Sequence, residues 1–113
     1  MLPIKNRLKK REDFAKVFSK GAYVGNNDLS VKYANNSLSE TRFGFPVGKN
    51  YSKKAVVRNR ARRILRLAIA YHLSKIKPGF DIIILIKPTY QKTELPIVIN
   101  EFKKIFSKAN LLI

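Results

Sequence analysis

A chain of 113 residues, 45% hydrophobic and 11% aromatic, has the composition of one globular domain with a modest core, not of a disordered basic tail. Its 24 Lys and Arg against 7 Asp and Glu give a formal charge of +17, which points to polyanionic partners, nucleic acid first and anionic membrane second. The absence of cysteine excludes a disulfide framework and a thiolate metal site, and the longest apolar run, residues 82–86, is too short to cross a bilayer.

Residues 1–11 read as a basic, extended segment with no apolar stretch behind the charges, so a secretory signal is not expected and the cytoplasm is. Glu12 and Asp13 place negative charge where a helix N-terminus favours it. Phe14, Val17 and Phe18 then fall on one helical face, and Gly21 reads as a natural stop just past the last turn. Residues 23–33 read as extended, broken near Asn26-Asn27-Asp28, with Leu29, Val31 and Tyr33 alternating against Ser30 and Lys32. After the polar turn Asn35-Asn36-Ser37, residues 41–47 read as a second strand, at a spacing that suits an antiparallel pair with the first.

Residues 48–54 form a basic loop. A long helix follows and ends before the turn signal Pro78-Gly79. Residues 80–87, rich in isoleucine, read as a central strand buried on both faces and closed by Pro88. The last helix starts near Thr93 to Pro96, with a stripe of Leu95, Val98, Ile99, Phe102, Ile105 and Phe106. Phe43, Phe45 and this stripe are assigned to the core. The order helix, two or three strands, helix, strand, helix describes a small sandwich around one sheet, with neither repeat nor linker.

The long helix is the unusual element, because residues 53–77 contain no acid. At about 100° per residue, Val57, Ala61, Ile64, Leu65, Ala68 and His72 share one side. Arg58, Asn59, Arg62, Arg63 and Arg66 fan across the other, with Arg60 at the far border. Surface helices ordinarily interleave opposite charges at i,i+4. A helix that forgoes this has its counter-charge on another molecule, and the forked guanidinium suits phosphate oxygens. Membrane docking would need the apolar face that the core requires.

Catalysis by the protein itself is not indicated. His72 is the single histidine and lies on the apolar side, where it reads as a packed residue, and the seven acids are scattered rather than convergent. No glycine-rich phosphate loop appears. A structural RNA-binding protein, such as a ribosomal component, and a DNA binder remain alternatives on these grounds. The mixed base-reading residues and helix pairing of a major-groove binder are missing.

The stretch AVVRNRARRILR, residues 55–66, resembles the arginine-rich motif of the protein subunit of bacterial ribonuclease P. NRLKKREDFAKVFSKG (6–21), RFGFPVGK (42–49) and GFDIIILIKP (79–88) resemble other segments of that family, so the likeness covers nearly the whole chain. The loop departs from the family pattern, with Asn50 in place of a second lysine and Tyr51-Ser52 in place of glycine and a small residue.

The resemblance implies an α+β fold, a single-domain α-β-β-β-α-β-α sandwich with one central sheet and a left-handed β-α-β crossover, residues 1–113 forming one RNA-binding domain. It also implies that the chemistry belongs to an RNA subunit using Mg²⁺, with no catalytic residue, cofactor or metal ligand assigned to the protein. The implied partners are that RNA and precursor tRNA, without a membrane or an obligate protein partner. The implied contacts are Arg58, Asn59, Arg60, Arg62, Arg63 and Arg66 on the helix, Lys49, Lys53 and Lys54 in the loop, and Phe14, Phe18 and Tyr33 in a cleft for the 5′ leader. Aromatic faces beside a positive groove are how single strands are held without sequence preference.

Overall fold

A computed structural model describes residues 2–26 and 28–113 of the chain. Helix α1 spans Arg11–Lys20, strands β1, β2 and β3 span Ala22–Gly25, Leu29–Asn35 and Arg42–Gly44, and α2 spans Ala55–His72. Strand β4, Phe80–Ile86, and helix α3, Leu95–Lys108, complete the order. The turn expected at Asn26-Asn27-Asp28 includes Asn27, which lies outside the described residues. On either side of it the Asn26 side-chain oxygen accepts the backbone N–H groups of Asp28 (3.2 Å) and Leu29 (3.0 Å), the local bonding that suits asparagine to turns.

The sheet runs β1-β2-β4-β3. Strand β4 is buried from Asp81 to Ile84, as its composition demands, and occupies the centre. It pairs antiparallel with β2, Val31 opposite Ile84, and parallel with β3, Phe43 opposite Ile82. The antiparallel β2–β3 pair expected from their spacing does not form. The most apolar strand enters between them and satisfies both edges, and α2 is the crossover that the parallel β3–β4 pairing requires. Strand β2 finds its hairpin partner in β1 instead, Tyr23 opposite Lys32.

Alternation sorts the side chains into two layers. Leu29, Val31, Phe43, Ile82 and Ile84 face α2 and α3, meeting Leu65, Ala68, Ile69, Val98, Phe102 and Phe106. Ile83 faces the other way, toward Leu8 and Val17, with Phe14, Ala34 and Leu85 packed around them. The sheet is thus covered by two helices on one side and by α1 alone on the other.

Three local expectations need correction or refinement. Residues 2–11 are not simply extended: a 3-10 turn at Ile4–Asn6 leads into a parallel bridge between Arg7 and Phe43, and Leu2 and Leu8 are buried. Gly21 does end α1, but as an extended cap with φ −75° rather than in the left-handed form usual for a glycine stop. It is glycine because a Cβ would collide with the Val17 carbonyl, to which its N–H donates at 2.7 Å. The left-handed glycine is Gly79, φ +89°, in the turn before β4. Finally, Phe45 is only half-buried, beyond the end of β3.

His72 is packed as expected. Its Nε2 lies 2.8 Å from the Ile99 carbonyl, which can only accept, so the proton sits on Nε2 and ties α2 to α3. The ring meets Phe106 edge-on at 6.1 Å.

Candidate nucleic-acid interface

Arginine and alanine, both good helix formers, predominate in α2, and its inner side buries Ala61, Leu65, Ala68, Ile69 and His72. No side chain caps its start. Arg58 turns back instead and donates to the carbonyls of Ser52 and Lys53, each at 3.0 Å. Arg62 donates to the Val47 carbonyl and, at 2.9 Å, to Asn59 Oδ1. These two guanidiniums fasten the 47–53 loop onto the helix. A further anchor comes from Tyr51, whose hydroxyl donates to the Tyr90 carbonyl at 2.6 Å. The departure from the family pattern in this loop therefore supplies a tether. Lys49, Lys53 and Lys54 are all exposed on the loop so held.

The arginine fan is not uniform. Arg58, Arg62 and Arg66 are half-buried, whereas Asn59, Arg60 and Arg63 are open to solvent. Arg66 lies over the Phe45 ring, 5.6 Å from its centre. Burial, then the like charges of Arg7 and Arg62, hold its pKa below the usual arginine value. Among the described residues the ion pairs are Lys5–Glu40, Arg42–Asp13, Arg42–Asp81 and Lys92–Glu101. None involves α2. The uncompensated charge inferred from the sequence is therefore a structural fact of this face, and it continues through Arg7 to the β3 edge.

On the opposite side of the sheet, the three aromatic candidates have different fates. Phe18 is 44% exposed at the end of α1. Phe14 is half-buried with the tip of its ring against Gly44, where a Cβ would stand 2.5 Å from its Cζ. It pins α1 to the sheet as much as it offers a surface. Tyr33 does not share the face of Phe14 and Phe18, although it helps line a cavity with Lys16 and Lys20 of α1. It packs with the Leu29 and Val31 side of β2 and meets Phe80 edge-on at 6.3 Å, on the far face from Phe14 and Phe18. The neighbouring Lys32 takes the cleft side: its Nζ donates to the Phe18 carbonyl at 2.8 Å and lies 5.7 Å from the Phe18 ring centre. Sequence reasoning passed over Lys32, although the alternation of β2 already separated it from Tyr33.

Arg42 was passed over as well. Its guanidinium forks onto Asp81 at 2.8 and 2.6 Å and reaches Asp13 at 3.3 Å. The hydrogen bond to Asp81 raises its pKa further. Asp13 therefore does more than start a helix, since it locks α1 over this face. Among the described residues no group of three or more His, Asp or Glu side chains comes together in a way that could hold a metal ion.

Comparison with known proteins matches residues 2–110 to the Ribonuclease P family model. The Ribonuclease P protein component of a Pseudanabaena strain is 40% identical, over 99% of this chain and 97% of its own length. That of a Synechocystis strain is 33% identical, over 98% and 90%. The solved RNase P protein of Staphylococcus aureus superposes with a TM-score of 0.83 at 28% identity, covering 96% of this chain and 98% of that one. A family match over almost the whole length, together with a shared fold, leaves one assignment: the chain belongs to the family of ribonuclease P protein components.

Proposed function

We propose that, within ribonuclease P, this protein grips the catalytic RNA with the exposed side of α2 and the 48–54 loop, and steers the 5′ leader of precursor tRNA along the open face beside α1. The observation that carries this reading is the α2 face itself, six polar residues from Arg58 to Arg66 without one carboxylate partner among the described residues. Arg60 and Arg63, which are exposed and form no ion pair among the described residues, contact RNA phosphates directly, while Asn59 adds an amide. Arg58 and Arg62 act chiefly by holding the loop that presents Lys49, Lys53 and Lys54. Phe18 offers a stacking face and Lys32 a charge beside it, a combination that tolerates leaders of many sequences.

Mg²⁺ belongs to the RNA in this scheme. The protein helps by lowering the repulsion between two polyanions. Among the described residues no helix is long and apolar enough to cross a membrane.

Binding to a bacterial ribonuclease P RNA at stepped salt concentrations tests the grip. Replacing Arg60 and Arg63 with alanine should weaken binding about tenfold per contact and lower the salt slope by about two. Removing the same charge from α3, as Lys103→Ala with Lys104→Ala, should do distinctly less. Equal losses from the two double variants would mean that net charge, not the α2 face, determines binding.

A further inference from the structure

The open sheet face holds one more large side chain that the family motifs do not cover. Tyr23 is 58% exposed on β1, directly across from Lys32 in the antiparallel register, and so on the same face as Phe18. The next pair along that face, Gly25 and Ser30, carries no bulk to cover its ring. An exposed tyrosine on an edge strand is by itself ordinary. The setting of this one is not: Lys32 stands between it and Phe18, fixed by its bond to the Phe18 carbonyl and with no carboxylate partner among the described residues.

We propose that Tyr23, Lys32 and Phe18 form a binding site for two consecutive nucleotides of single-stranded RNA, the bases stacking on the two rings and the phosphate between them meeting the Lys32 ammonium. The inference rests on the leader path proposed above and names its far end, where the leader crosses from β2 to β1. Neighbouring strands are about 4.8 Å apart, so ring, ammonium and ring succeed one another within reach of adjacent nucleotides. Aromatic faces and one charge read no base edge, so the site is indifferent to sequence. Tyr23 also explains how this chain keeps a second exposed ring beside Phe18 although Tyr33 points into the core.

The test uses the holoenzyme reconstituted with a bacterial ribonuclease P RNA. Affinity is measured for precursor tRNA with a long leader and for the same tRNA with a single-nucleotide leader. Tyr23→Ala should cut the gain conferred by the long leader about tenfold and leave the short-leader affinity unchanged, while Tyr23→Phe, which keeps the ring, should retain the gain. If Phe18→Ala loses the gain and Tyr23→Ala does not, the leader path stands and the Tyr23 site is refuted. If both Tyr23 variants lose it equally, stacking is refuted. If the wild-type protein itself binds both substrates alike, the leader path fails and this site with it.

Discussion

Arg42 sits where three elements meet, forked onto Asp81 of β4 and reaching Asp13 of α1, with Asn36 donating to the same Asp81 carboxylate at 2.9 Å. Removing one partner of a buried pair leaves the other charge uncompensated, which typically costs 3–5 kcal/mol. Because the Arg42 side chain keeps 22% of its exposure, Asp81→Asn should cost about 3 kcal/mol, at the lower end of that range, read as a lower midpoint in urea. At Gly44 the expected defect is steric. Gly44→Ala should destabilise by roughly 1–3 kcal/mol by pushing the Phe14 ring off the sheet, and Phe14→Leu in the same chain should recover part of the loss. The residue scale also shows where reading the sequence succeeded and where it was overruled. Leu29, Val31 and Tyr33 alternate against Ser30 and Lys32, so period two already put Tyr33 on the apolar face. Only the family likeness moved it to the cleft, and the strand geometry moves it back.

Among the elements, β4 and α3 were legible because their apolar patterns leave one solution each, a strand buried on both sides and a helix with one stripe. The partners of β2 and β3 were not legible. Short spacing favours a hairpin, but pairing is decided by where the most apolar strand can bury both faces, and that is a property of the whole sheet. For α2 the sequence showed which residues form the polar side, but not that Arg58 and Arg62 spend their donors on loop carbonyls, since backbone acceptors leave no trace in side-chain identity. Arg62→Ala should therefore free the loop. Hydrogen exchange at the Tyr51 amide, which bonds the Gly48 carbonyl at 3.0 Å, should accelerate clearly while amides in β4 stay protected. Unchanged exchange at Tyr51 would mean that Arg62 contributes nothing to the loop.

At the scale of the molecule, the charge of +17 that remains after every acid is counted repels itself. Phosphate that binds the folded state alone should stabilise it by mass action, about 2.7 kcal/mol at a hundredfold excess over its dissociation constant. For a chain of this length that raises Tm by roughly 10 °C. Dilute phosphate, compared with chloride at matched ionic strength, should show the rise. Identical melting in the two salts would remove anion binding from the account. Most direct of all is single-turnover cleavage of precursor tRNA by a bacterial ribonuclease P RNA at low Mg²⁺, with and without the protein. The α2 account predicts that the wild-type protein restores 5′ leader removal and that a variant with Asn59, Arg60 and Arg63 all changed to alanine does not. If both proteins bind the RNA and neither changes cleavage, the unpaired arginines serve RNA binding alone, and the protein has no part in positioning the substrate.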